Sequence, residues 1–262
     1  MKTLVLFAYN DRNALYDENL TFFHTFGVFE SDWCDFCIIL SGRTKKKFDE
    51  TSNLRIIYRE NDAGDFGAWG SALKTYDLDA YDRFIFLNDT SRGPYVQGSC
   101  KISMWPKLFT SKIDEKCKLV GPTKNNVVAD HIQSYAFACD KIALDILMED
   151  GIFAPKLEYP RQKWDFIVRH EVGMSRLLVS KGYTFEAFFR GDGITPYYGS
   201  IVISPFEVMF IKANMPMRFD KRQTEHPLPG WNKIPMPNIL FQSKTKPEAN
   251  QLVMLRSSLR MR

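Results

Sequence analysis

The segment Phe84-Ile85-Phe86-Leu87-Asn88-Asp89 drives a carboxylate out of an apolar run into a polar turn. A carboxylate there can hold Mn2+ or Mg2+, because these hard cations take oxygen ligands from one or two carboxylates and complete their shell with phosphate oxygens. So held, the ion neutralises charge on a departing phosphate group. Asp89 is therefore the candidate metal ligand, with a turn or helix N-cap as the equally weighted alternative. Asp65 follows Gly64, where the missing side chain lets a ligand approach the backbone. A carboxylate in that position can accept two hydroxyl hydrogen bonds, or it can cap a helix starting near Phe66. Arg59 can balance phosphate charge or form a surface ion pair.

These residues need a scaffold that brings distant loops to one edge. Continuous apolar runs at 4–8, 36–40, 54–58 and 84–87 read as buried strands. Helix-length segments at 15–29 and 68–76 lie between them. Strand and helix alternating at this spacing predict an α/β fold with a mostly parallel central sheet. Ligands of such sheets bind beyond the carboxyl ends of the strands. Three polar loops fall there, at 9–13, 60–65 and 88–92. The second half is less regular. Helices are expected at 134–148 and 172–180, the latter stopped by Lys181-Gly182, with a proline-bearing loop at 151–163 between them.

The segments Arg59-Glu60-Asn61-Asp62-Ala63-Gly64-Asp65-Phe66-Gly67-Ala68-Trp69, 84–95, His131-Ile132-Gln133-Ser134-Tyr135, His170-Glu171-Val172-Gly173-Met174-Ser175 and 204–212 occur in this order. Together they resemble the rhamnan synthesis F family of glycosyltransferases, over about residues 4–214. The resemblance implies a GT-A-like fold, a nucleotide-sugar donor, and transfer of a sugar, often rhamnose, to a glycan or lipid-linked glycan. It departs from the usual pattern in two places. Only Asp89 is in register where GT-A enzymes commonly carry Asp-x-Asp, and 61–65 lacks the basic residue that relatives often place before the aspartate. One domain over 1–214 is expected, with a donor half at 1–95, an acceptor half at 96–214 and an extension at 215–262.

On this reading the donor, UDP- or dTDP-linked, meets Tyr9, Asn10, Asp11, Arg59, Asp65, Asn88 and Asp89. Tyr9 would stack on the base, and Asn10 or Asp11 would bond to its edge. Glu171 is the expected base, since an inverting transferase needs a carboxylate to take the acceptor's proton. It is expected to open a helix, where the dipole favours its ionised form and lowers its basicity. His131 is the alternative base, with Asp65 also in line. His170, Gln133 and Ser134 are expected on the acceptor side. Trp164 and Trp69 are candidate sugar platforms, with core packing as the other reading for each.

Composition narrows the alternatives. With 45% hydrophobic and 25% charged residues the 262-residue chain is globular. A net charge of +4 is too mild to suggest a nucleic-acid partner. Five irregularly spaced cysteines read as reduced thiols, and the Cys34/Cys37 pair runs straight into an apolar strand, so a cytoplasmic location is expected. No Gly-x-x-x-x-Gly-Lys phosphate loop occurs, which weighs against a phosphotransferase or nucleotidyltransferase. An inactive sugar-nucleotide-binding module stays open because Asp89 stands alone. The extension carries Pro216, Pro227, Pro229, Pro235, Pro237 and Pro247. It ends in a basic, apolar stretch at 248–262 that could lie on an anionic membrane as an amphipathic helix or dock on the domain.

Overall fold

The computed structural model describes residues 1–60, 64–96, 100–126, 128–153, 163–189 and 205–213. Asn61, Asp62 and the whole extension, including the tail at 248–262, lie outside the described residues. Strands β1 (Thr3–Asn10), β2 (Cys34–Ser41), β3 (Leu54–Arg59) and β4 (Arg83–Asn88) alternate with helices α1 (Ala14–Phe26) and α2 (Gly64–Leu73). Next come β5 (Ser91–Arg92), α3 (Trp105–Phe109), β6 (Cys117–Gly121), β7 (Lys124–Asn125), β8 (His131–Ile132), β9 (Ala136–Asp140) and α4 (Lys141–Glu149). Helix α5 (Lys163–Phe166) and a π-helical turn at Ile167–Val172 lead into α6 (Gly173–Ser180) and β10 (Thr184–Ala187), and α7 (Pro205–Val208) leads into β11 (Ile211–Lys212).

Seven strands form one sheet in the order β10-β6-β9-β4-β1-β2-β3. The β1–β2, β2–β3, β1–β4 and β6–β10 pairs are parallel, as the strand–helix alternation predicts. β9 runs antiparallel to both its neighbours, β4 and β6. Period-2 alternation divides each central strand between two apolar layers. Leu4, Leu6 and Ala8 face α2, α4 and α6 together with Trp69, Phe86 and Phe137. Val5, Phe7 and Tyr9 face the opposite layer with Phe23, Trp105 and Phe109 from α1 and α3. The expected α/β class, a mostly parallel sheet flanked by helices, is the observed one. Cys34 and Cys37 are free, buried thiols in β2.

The expected helix at 134–148 is two elements. Ala136 to Asp140 form a strand wedged between β4 and β6, and the helix starts only at Lys141. Asp140 is the reason for that boundary, since its side chain accepts a 3.0 Å hydrogen bond from Ala143 N–H and caps α4. The small residues Ala136, Ala138 and Cys139 carry little strand preference of their own. Burial on both faces of the sheet overrides their helix propensity. α6 ends as expected, with Lys181 as its cap and Gly182 at φ +87°.

The position of α2 depends on Gly70. A Cβ there would lie 1.7 Å from the Phe153 carbonyl oxygen, so the helix approaches the loop more closely than any side chain would permit. Gly70→Ala must push α2 outward. Overpacking of this kind costs about 1–3 kcal/mol, so the melting temperature should fall by roughly 2–12 °C for a domain of this size. Gly173→Ala, whose Cβ would meet nothing nearer than 3.5 Å, should not lower it. Calorimetry on both variants checks the pair, and equal melting temperatures would refute this account of the contact.

Candidate active site

From β1 the chain steps to β2 and β3 on one side, while β4 lies on the other. The crevice beyond the carboxyl ends of β1 and β4 is thus the topological switch point of the sheet, the usual ligand position in open α/β folds. Asp89 lies there with none of its side chain exposed. Asn10 N–H, at the end of β1, donates to Asp89 Oδ2 at 3.0 Å, and Arg12 Nη2 donates to both carboxylate oxygens at 3.1 Å. The Arg12 guanidinium is half exposed and lies over the Tyr16 ring at 5.1 Å. Asn19 Nδ2, from α1, donates to the Asp89 carbonyl at 2.7 Å.

Asp65 reaches the same crevice from the amino end of α2. Gly64, at φ +58°, makes the turn that starts this helix. Asn88 Nδ2 donates to Asp65 Oδ2 at 2.8 Å, and Asn88 Oδ1 accepts from the Thr90 N–H and hydroxyl at 3.0 and 2.7 Å. The two aspartates feel each other. Burial, then the charge of Asp65, pushes the Asp89 carboxyl up to about 7, against the pull of Arg12 and the Asn10 amide. Burial also raises Asp65, with Glu171 adding to it and Arg12, Asn88 and Lys212 opposing it.

Glu171 forms the facing wall. It lies within the π-helical turn between α5 and α6, not at the opening of a helix as expected from the sequence. Such turns re-aim side chains and recur at functional sites. Ser134 N–H donates to Glu171 Oε2 at 2.8 Å, and the Ser134 hydroxyl donates to the same oxygen. His131 Nε2 stands 3.4 Å from Oε1, while its Nδ1 is 2.7 Å from the Ala129 carbonyl. Burial alone would raise the Glu171 carboxyl, but His131, Lys212 and Ser134 outweigh it and hold the group down at about 2. Side-chain and amide donors, not a helix dipole, keep it ionised.

Other sequence candidates fall outside this cluster. Tyr9 cannot stack on a base, because β1 continues to Asn10 and its alternation buries Tyr9 beside Val5 and Phe7, with its hydroxyl bonded to Asp17. His170 is packed against Phe66 and Phe166 with Nδ1 3.1 Å from the Ile152 carbonyl, so it supports the core rather than an acceptor. Gln133 is buried, its Oε1 accepting from Thr123 Oγ1 at 2.7 Å. Arg59 ends β3, two strands from β1, near Ser41 Oγ at 3.5 Å. Asp11 is exposed on the loop after β1, and Trp164 is half-buried on α5. Trp69 is a core residue whose indole N–H donates to the Leu87 carbonyl.

Two cations of the site are absent from the sequence-based set of site residues. Arg12 belongs to the 9–13 loop, and a lone arginine in a polar loop carries no signal of its own. Lys212 arrives on β11, whose two residues pair with β5, directly after the Asn88-Asp89-Thr90 turn. Only the change from the apolar run 208–211 to a lysine marks it in the sequence.

The residues fit a divalent cation in a limited way. Among the described residues no group of three or more His, Cys, Asp or Glu side chains converges on one point. Asp89, with Asp65 beside it, matches the one or two carboxylates that suffice when phosphate oxygens complete the shell. Asp89 presents an oxygen outward only when Arg12 loosens its hold.

Among curated protein sequences none matches the chain at a significant level. Solved structures similar in shape include the following two. One is a mannosyltransferase from Pyrobaculum calidifontis in complex with GDP-Man and Mn2+, 10% identical, covering 71% of this chain and 54% of its own, with a TM-score of 0.45. This chain thus spans about half the length of that protein. The other is a glycosyltransferase involved in glycosylation of the major capsid of PBCV-1, 11% identical, covering 79% and 91%, with a TM-score of 0.40. The family model for rhamnan synthesis protein F matches residues 39–218, from β2 through β11 and thus through Asp65, Asp89, Glu171 and Lys212. By that match, the chain belongs to the rhamnan synthesis protein F family.

Proposed function

We propose that the chain is a glycosyltransferase that moves a sugar, rhamnose by its family's name, from a UDP- or dTDP-linked donor to a hydroxyl of a glycan or lipid-linked glycan acceptor. The observation that carries this reading is the set of three carboxylates at one sheet edge, held in opposite states by their surroundings. Asp65 and Asp89 are raised while Glu171 is lowered. Environments that push similar groups apart in this way divide the acid–base labour of a reaction.

Asp89 is the residue that would hold Mn2+ or Mg2+. Such an ion supplies charge neutralisation on the departing nucleoside diphosphate. In the transfer, the acceptor oxygen bonds to the anomeric carbon as that carbon's bond to the diphosphate oxygen breaks, and the hydroxyl proton passes to a carboxylate. Glu171, held near 2, is a poor proton acceptor. Asp65 is the stronger base, and its Oδ2 is fixed by Asn88. Glu171 then keeps Ser134 and His131 in place beside the acceptor, acting as a positioning residue.

Asp89→Asn should weaken Mn2+-dependent binding of UDP by roughly 10-fold or more, compared well below the melting temperature, which falls with loss of the Arg12 pair. Titration calorimetry with and without Mn2+ measures this, and an unaltered manganese-dependent affinity would remove Asp89 from the site. The choice of base is tested by the pH–rate profile. A base works deprotonated, so kcat/KM rises with pH through its pKa. The acid limb should lie above the value near 2 at which Glu171 is held, and Asp65→Asn should lower kcat by about 100-fold or more. Glu171→Gln should chiefly raise the acceptor KM. Full activity maintained down to about pH 3, or a Glu171→Gln variant that loses kcat while Asp65→Asn keeps it, would return the role to Glu171.

A further inference from the structure

A crevice ringed by Asp65, Asp89 and Glu171 repels a diphosphate unless cations are built into it. Arg12 supplies one from the β1 side. The second enters through an unusual piece of backbone. Met209 adopts φ +61°, a left-handed conformation unfavourable for a residue with a side chain. Three hydrogen bonds fix this turn and the strand after it. Met209 N–H donates to the Pro205 carbonyl at 2.8 Å, the Met209 carbonyl accepts from Tyr95 N–H at 2.8 Å, and Ala213 N–H donates to the Thr90 carbonyl at 2.8 Å. The turn ends α7 and throws the chain into β11, in register with Ser91 and Arg92. Lys212 is thereby pinned beside the turn that carries Asp89, with its Nζ 5.8 Å from the centre of the Tyr135 ring. Its charge favours the ionised form of both Asp65 and Glu171.

We propose that Lys212, set in place by the left-handed Met209 turn, binds the donor's diphosphate from the side opposite Arg12, so that the two cations clasp the phosphates between them. The proposal rests on the nucleotide-sugar reading above. The division of labour follows from their chemistry. The planar Arg12 fork, half exposed, can turn from Asp89 to two phosphate oxygens, whereas the lysine is a point charge that needs a fixed position. The backbone of β11 provides that position. Strain retained at Met209 is accounted for if the lysine it delivers has a ligand to meet.

The test uses the whole protein with UDP, UMP and inorganic pyrophosphate as probes in titration calorimetry. Lys212→Met keeps the stem and removes the charge. It should weaken UDP and pyrophosphate by roughly 10- to 100-fold, the worth of a charge-assisted hydrogen bond. UMP should change far less, Lys212→Arg should recover most of the loss, and Lys45→Met, on an exposed loop, should change nothing. Lys212→Gln replaces Lys212→Met if that variant melts early, compared with Lys212→Arg at matched melting temperature. Unchanged UDP and pyrophosphate affinity would overturn the proposal, as would an equal loss for UMP or for Lys45→Met. If the wild type binds pyrophosphate but no nucleotide, the nucleotide-sugar reading fails, and loss of pyrophosphate in Lys212→Met still supports the lysine's role. If it binds neither, both fall.

Discussion

A carboxylate with no exposed surface sets the terms for the molecule around it. Stripping water from an ionised group costs several kcal/mol, recovered only when partners are in place. Asp89 obtains them from the Asn10 amide and the Arg12 guanidinium, both where the chain leaves β1. Its carbonyl is held by Asn19, whose Oδ1 accepts from Arg92 Nε at 2.9 Å, and Arg92 in turn reaches Glu18 at 3.0 Å. Asn19 and Arg92 are themselves buried. The chain between β1 and α1 is thus tied to the turn after β4 by polar contacts that water cannot replace. α1 is held over the sheet through Asn19, which bonds to the backbone of this turn, together with its buried Phe22 and Phe23 side chains.

The same constraint explains why the carboxylates of the site differ. Asp65 and Asp89 share one crowded corner, where burial raises both, the charge of Asp65 adds to the rise of Asp89 and that of Glu171 to the rise of Asp65. Glu171 is almost as enclosed, with 13% of its side chain exposed, yet donors from Ser134 and the neighbouring His131 reverse the effect. Chemically alike residues a short distance apart are given different proton affinities by the groups aimed at them.

The amino-terminal half is largely readable from the chain. The apolar runs of β1 to β4 are continuous, as buried parallel strands must be, and Asp89 stands at the end of one of them. Tyr9 departs from its expected place in the loop, although the alternation Val5, Phe7, Tyr9 carries it one step further along the strand. β9 is not legible in its own residues, because small side chains such as Ala138 become strand only between two neighbours already in place. The state of Glu171 is out of reach for a related reason. The Ser134 donor lies 37 residues away in the chain, and Lys212 is further off on the other side. Proton affinity here is a property of the assembled fold, and helix position, the only local cue, points to the wrong cause.

The reversal of β9 has an effect on how the site is composed. Parallel strands present only their exits at the ligand edge, so β1 and β4 contribute the loops that leave them. β9 runs the other way, with Ala136 opposite Leu87 and the Tyr135 carbonyl accepting from Asn88 N–H. It therefore presents its entrance, and the stretch leading into it, His131 to Ser134, arrives at the same edge from the opposite chain direction. The two walls of the crevice are thus encoded on opposite sides of a strand pair. Length and composition between β7 and β9 can vary without altering the loops after β1 and β4, so one wall can be remodelled while the other is retained.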